Sequence, residues 1–417
     1  MEISTMGAIL GLVIAIVLII KKVPPAYSLI LGALVGGLLG GAGLTSTVDI
    51  MVNGAKGMMP AILRIITSGV LAGVLIQTGA AAKIAEQIIK VLGEKRALIG
   101  LALATMVLTA VGVFVDIAVI TVAPIALALA SKIGYSTTTI LFAMIGGGKA
   151  GNIISPNPNT IAAAETFEVE LSSLMAANFI PAICGLITTI VVATMLSKKN
   201  IGSKVQAVST EEITDLPDLL PAIIGPIVTI VLLSLRPLIG VSIDPLIALP
   251  VGGIVGVVAM GKVKHLNDYI SFGLGKMMPV AVLLVGTGTV AGIISASTVQ
   301  QSTITLLEMM NMPEFLLASI SGMLMSAATA STTAGTTIAS ATFAPSILAV
   351  GIEPLAGAAM VHAGATVLDH LPHGSFFHAT AGATNMSISE RLKIIPYESI
   401  VGLVITIVST IIWGIIV

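Results

Sequence analysis

Four of the five histidines, His362, His370, His373 and His378, fall in one short stretch that also holds Asp369. Imidazole titrates near neutral pH and binds a carboxylate when charged or a hydroxyl when neutral. The stretch therefore suits a proton-coupled anion site. Metal binding is the rival chemistry, but the spacing fits no HExxH pattern and no Glu lies among these residues; no metal and no cofactor is expected. Asp116 stands between Val115 and Ile117 inside a long apolar run. An Asp at the centre of a membrane helix costs about 2.5–3.5 kcal/mol, so this carboxylate is expected to work, either as a proton carrier or as a ligand to Na⁺. Lys149, between Gly148 and Ala150, is either a fixed cation for a substrate carboxylate or a side chain that snorkels to the membrane surface.

These residues sit where helices must break. The segment GGGKAGNIISPNPNT runs from Gly146 to Thr160, and LDHLPHGSFFHAT runs from Leu368 to Thr380. Pro156, Pro158 and Pro372 make an unbroken helix unfavourable there. A break frees backbone carbonyls for a cation and turns half-helix N-termini toward an anion. Asn152, Ser155, Asn157, Asn159, Thr160, Gly374, Ser375 and Thr380, with His373 and His378, are then candidate substrate contacts; the plain alternative is that the hydroxyls bond their own helices. Two further segments, 97–131 and 314–351, are too long for one crossing and carry polar clusters near their middles. One holds Asp116, the other Ser331, Thr332 and Thr333. Both are expected to be re-entrant hairpins, because irregular backbone at membrane depth is tolerated only where it is buried or lines a cavity.

The chain repeats itself. Met58, Met59 and Pro60 recur as Met277, Met278 and Pro279, and the same spacing pairs Gly69 with Gly288 and Ala72-Gly73 with Ala291-Gly292. Ala123-Pro124 likewise falls on Ala344-Pro345, and Pro181 on Pro396. The expected organisation is a first repeat over 1–196 (hairpin 97–131, broken helix 137–167), a polar cytoplasmic linker over 197–218, and a second repeat over 219–417 (hairpin 314–351, broken helix 355–385). With about five transmembrane helices plus one hairpin in each half, the second copy is inverted relative to the first. Inverted repeats with broken helices meeting near the midplane are a pattern of secondary transporters.

Composition sets the frame. Of 417 residues 56% are hydrophobic and 9% charged, against about 25% charged in soluble domains. The fold class is all-α and polytopic, with lipid as solvent and about ten to twelve crossings at ~20 residues each. A net charge of −1 with scattered basic residues excludes nucleic acid as a partner. Lys21 and Lys22 directly follow the first apolar run, which places the N-terminus outside; the C-terminus is expected outside as well. Arg64, one turn into its span, reads as a snorkelling residue, and 80–92 reads as an amphipathic helix at the interface.

The strings GNIISPNPNTIAAAETF and PHGSFFHATAGATNMSISERLKIIPYESIVGLVITIVSTIIWG resemble the gluconate permease family of proton symporters, over nearly the whole chain. The resemblance implies a symporter of gluconate-like hydroxy acids in the bacterial inner membrane, and it admits a homodimer. It points to Ser155–Thr160 and His373–Thr380 as substrate contacts, with Asp116, Asp369 and His370 expected in proton or cation coupling. A Na⁺-coupled carboxylate carrier or a cation antiporter is the alternative, and a membrane enzyme or channel is the weakest reading.

Overall fold

The computed structural model describes residues 3–199, 216–235, 239–241, 243–310 and 313–417, and every regular element in them is helical. Prolines open many of the helices, because a proline in the first turn gives up an N–H that has no partner anyway. Pro25 begins α2 (Pro25–Leu39), Pro158 begins α9 (Pro158–Thr166), Pro245 begins α13 (Pro245–Ala259) and Pro354 begins α18 (Pro354–Gly364). Pro60 occupies the second position of α4 (Met59–Gln77).

One group of helices packs through small residues. The helix α1 (Thr5–Ile20) lies on α2, and α12 (Leu219–Leu233) lies on α13. Between them runs α14 (Leu266–Ser295), which touches α2, α3 (Leu44–Gly57) and α4. Close approach of backbones through glycine replaces the hydrophobic driving force that lipid removes. A Cβ on Gly54, Gly69 or Gly73 would run into the backbone of α14. Hydropathy alone does not mark α3 or the first half of α14 as apolar. Asp49, Asn53 and Lys56 in α3, and Asp268 in α14, lower the apolar signal there.

The second group holds the interrupted segments. Residues 97–131 form α6 (Ala97–Ala110) and α7 (Val115–Ile133), and residues 314–351 form α16 (Leu316–Thr329) and α17 (Thr332–Ala349). The broken helices are α8 (Thr137–Asn152) followed by α9, and α18 followed by α19 (Ser375–Ala383). Behind them stand α10 (Leu171–Ala177), α11 (Phe179–Lys199), α20 (Ile388–Leu392) and α21 (Ile395–Ile411). The predicted amphipathic helix is α5 (Ala80–Leu92); its apolar face is buried, and it packs on α6 and α12. In the second half, α15 (Val299–Met310) follows α14.

Among the described residues, five stretches are long and apolar enough to cross a membrane alone, including Met59–Gln77, Val115–Ile133 and Phe179–Lys198. Others, such as α1, α2, α12, α13 and α16, have 14–16 residues. At 1.5 Å per residue they reach about 21–24 Å, short of the ~30 Å hydrocarbon layer. Of the expected linker, Ser197 to Lys199 close α11, and residues 200–215 lie outside the described residues.

Candidate functional site

The four interruptions meet. A cavity of about 150 Å³ is lined by Phe114, Val115 and Asp116 from the α6–α7 turn and by Ser331, Thr332 and Thr333 from the α16–α17 turn. Asn152 and Asn159 from the first broken helix and Asp369, Ser375 and Phe376 from the second complete the wall. The halves are crossed, since α7 packs on α19 and α17 on α9. Each α6–α7 or α16–α17 unit thus faces the broken helix of the other half.

Four of the helices that border the cavity begin there, α7 at Val115, α9 at Pro158, α17 at Thr332 and α19 at Ser375, and α8 ends there at Asn152. Each start carries unpaired N–H groups and the positive end of a helix dipole. Two starts are capped from within the chain. Asn157 accepts from the Asn159 and Thr160 amides at 3.0 and 3.1 Å, while its Nδ2 donates to the Asn152 carbonyl at 2.8 Å and to Asn152 Oδ1 at 2.6 Å. One side chain therefore ties the end of α8 to the start of α9. Ser331 Oγ accepts from the Ala334 amide at 3.2 Å. Neither Phe114 nor Gly374 caps the helix that follows it with a side chain; at α7 the Asp116 carboxylate accepts from the Asp116 and Ile117 amides, while the amides of α19 are left for a ligand.

Glycine sets how closely these pieces approach. Gly112, at φ +105°, turns the chain between α6 and α7 in a conformation other residues avoid. Gly374 lies against Ala330 at the α16–α17 turn, where an added Cβ would stand 2.6 Å from the Ala330 Cβ and closer still to its carbonyl oxygen.

Behind Asp369 lies a buried charge network. Lys149 is 1% exposed and does not snorkel. Its three ammonium donors are all used: on the Thr366 carbonyl at 2.6 Å, on His370 Nδ1 at 2.9 Å, and in an ion pair with Asp369 Oδ1. The other Asp369 oxygen accepts from Thr332 Oγ1 at 2.5 Å, and Thr333 Oγ1 donates to Asn159 Oδ1 at 2.5 Å. The imidazole of His370 lies 3.0 Å from Asp369 through Nδ1, and its Nε2 faces the Ile395 carbonyl and Ser399 Oγ, each at 3.1 Å. Farther in, the fully buried Arg391 and Glu398 pair through two contacts of 2.5 and 3.2 Å. The Arg391 guanidinium also lies 4.8 Å from the centre of the Phe377 ring.

Some predicted contacts lie elsewhere. Gly374 abuts Ala330 behind the cavity wall, and Thr160 bonds Asn157. The Ser155 hydroxyl is buried without a partner. His373 meets the Ala328 carbonyl at 3.2 Å and the exposed His378 meets the Pro372 carbonyl at 2.9 Å. Thr380 accepts from Arg391 Nε at 3.3 Å, out of reach of a ligand in the cavity. His362 is buried, and neither ring nitrogen has a partner among the described residues. The histidines cluster in sequence but do not converge in space. Arg391 and Glu398 were not singled out from the sequence, although two opposite charges seven residues apart in an apolar C-terminal region were the available signal.

Arg64 also departs from its expected role. It pairs with Glu165 of α9 and with Asp244, which caps α13, at 2.8 Å. The Arg64 hydrogen bonds hold the Asp244 carboxyl below its ordinary range, outweighing partial burial. These residues border a second, larger cavity of about 620 Å³ between α4, α9 and α13.

Apolar helices around a buried polar cavity made from helix interruptions define a multi-pass membrane transporter. The sequence profile described as GntP family permease matches residues 3–416, and the chain belongs to that family. It is 58% identical over 415 residues, 99% of each chain, to an uncharacterized transporter of Haemophilus influenzae. A second protein of that organism, an uncharacterized permease, is 28% identical over 198 residues, covering 46% of this chain and 40% of its own. Among solved structures, the Alcanivorax borkumensis YdaH transporter superposes with a TM-score of 0.66 at 15% identity, over 89% of this chain and 90% of that one; the likeness is one of fold. The protein is a transporter and not an enzyme.

Proposed function

We propose that the protein is a secondary active symporter that moves a small hydroxy-carboxylate, gluconate or a related sugar acid, together with a proton. The observation that carries this reading is the convergence of four helix starts on one cavity, that of α19 uncapped, with Lys149 behind the wall. Fixed amide dipoles and a buried cation favour an anion. Hydroxyls and amides of Thr332, Thr333, Asn152, Asn159 and Ser375 suit a polyhydroxy chain. The volume of about 150 Å³ lies below the ~300–1,000 Å³ of pockets for drug-sized ligands, which favours a small solute.

The two halves, 1–196 and 219–417, act in this reading as inverted repeats with α6–α7 and α16–α17 as re-entrant hairpins. Its support is the recurrence of the same succession, a two-helix unit followed by a broken helix, and the crossed packing of α7 on α19 and α17 on α9. The protein would sit in the bacterial inner membrane with both termini outside.

The test is uptake of labelled gluconate into proteoliposomes under an inward proton gradient without Na⁺, with unlabelled sugar acids and D-serine as competitors. Concentrative uptake abolished by a protonophore is expected. Uptake that requires Na⁺, or that never exceeds equilibration, refutes the proposal.

A further inference from the structure

We infer that the coupling proton is counted on the Asp369–His370 pair, where it releases Lys149 from Asp369 so that the substrate carboxylate can take Asp369's place. The inference rests on the symport reading above and assigns its coupling residues.

The geometry around the imidazole carries the argument. Nε2 of His370 lies 3.1 Å from the Ile395 carbonyl, which can only accept, so Nε2 bears a hydrogen. Nδ1 then has two incompatible neighbours, the Lys149 ammonium at 2.9 Å and Asp369 Oδ1 at 3.0 Å. An ammonium only donates and a carboxylate only accepts. A bare Nδ1 satisfies Lys149 and repels the carboxylate. One added proton, on Nδ1 or on Asp369, satisfies the Asp369–His370 contact and leaves Lys149 without a matching anion. Lys149, Asp369 and His370 thus have two bonding arrangements that differ by one proton.

The charge count points the same way. With His370 neutral, Lys149 is balanced by Asp369 and Arg391 by Glu398. Glu398 Oε2 lies 3.8 Å from His370 Nδ1 but already accepts from Arg391 Nη2, while Nη1 holds Oε1. Asp116 lines the cavity from α7 and is given no part in the exchange. One proton makes the network +1, which a single carboxylate cancels. Asp369 is the member of the network in the cavity wall, with its second oxygen held by Thr332, so the arriving carboxylate meets the group it must replace. Loaded and empty forms then carry the same charge, and a proton with a monoanion moves no net charge across the membrane.

Proteoliposomes of the full chain test this with gluconate as the probe. A gradient of one pH unit at zero potential should give about tenfold accumulation, since one unit is 1.36 kcal/mol per proton. A valinomycin-clamped potential at equal pH should give none. Roughly hundredfold accumulation per pH unit, or accumulation driven by the potential alone, would overturn the one-proton count while leaving symport intact. Asp369→Asn should lose the pH-driven gradient, with any gluconate counterflow that remains, whatever its rate, no longer dependent on pH, whereas Asp116→Asn should keep the tenfold ratio whatever its rate. The reverse pattern overturns the assignment. Should Asp369→Asn fail to fold, the purified wild type in weak buffer should take up one proton per gluconate bound, and binding without proton uptake overturns it. If the wild type accumulates no gluconate under any proton gradient, the failure belongs to the symport reading and takes the inference with it.

Discussion

Replacing Gly374 by Ala places a methyl group where the second broken helix rests on the α16–α17 turn. The new Cβ would stand 2.6 Å from the Ala330 Cβ, about 1 Å inside ordinary carbon contact. Its nearest obstacle, the Ala330 carbonyl oxygen, is backbone and cannot rotate away. Overpacking of this kind costs roughly 1–3 kcal/mol. The functional effect should exceed the loss of stability, because the residues that must move, Ser375 and Phe376, are the uncapped start of α19 in the cavity wall. A displacement of about 1 Å in groups that position a substrate can cost ~10²-fold in rate. Gly382, on the same helix, is exposed and has nothing within 4 Å of an added Cβ. Gly382→Ala should therefore be neutral or stabilising by about 0.5–1 kcal/mol. The two variants make the same chemical change, and initial rates of gluconate uptake with thermal unfolding of the purified proteins separate them. A Gly374→Ala protein with wild-type rate and midpoint would refute the idea that this contact sets the site.

Arg391→Met removes the guanidinium that holds the fully buried Glu398 and should destabilise by about 3–5 kcal/mol; adding Glu398→Gln should restore a measurable part of the lost unfolding midpoint. Ala330 holds a left-handed conformation at φ 46°, which costs a non-glycine residue roughly 1–2 kcal/mol, so Ala330→Gly should raise the midpoint or leave it unchanged despite glycine's greater unfolded-state freedom. Because Arg64 keeps the Asp244 carboxyl below its ordinary value, the pair's contribution is fully present above about pH 4 and is lost as pH falls through the lowered folded value. The difference in midpoint between wild type and Arg64→Gln should accordingly be the same at pH 6 and pH 8 and should shrink below pH 4; a difference that changes between 6 and 8 would contradict this.

What the sequence made legible was where the backbone is interrupted. Asp116, Pro158 and the Ser/Thr cluster at 331–333 are local signals, and the breaks of α6–α7, α8–α9 and α16–α17 fall within a few residues of them. The amphipathic period of 80–92 was equally local. Long-range pairing was not legible. Arg64 finds Asp244 180 residues away, and no hydropathy pattern encodes that contact, so a snorkelling side chain was the default reading. Lys149 shows the same limit, because its environment is supplied by Thr366, Asp369 and His370 of the other half. The histidine stretch misled by proximity: residues adjacent in sequence around a turn point apart, and only His370 joins the charged network.

The pairing of Lys149 bears on why an anion carrier would place a carboxylate in its own site. On the proposed reading the protein must change conformation both loaded and empty. An ammonium left alone in the empty state would be a buried, uncompensated charge, at a cost of several kcal/mol. The helix starts carry no such cost, since their partial charges belong to a neutral backbone, but they cannot change with pH. Asp369 supplies both missing properties. It neutralises Lys149 when the cavity is empty and, once protonated with His370, withdraws when an anion is present. Thr332, which holds Asp369 Oδ2 from the α16–α17 turn, then ties that exchange to the other wall of the cavity.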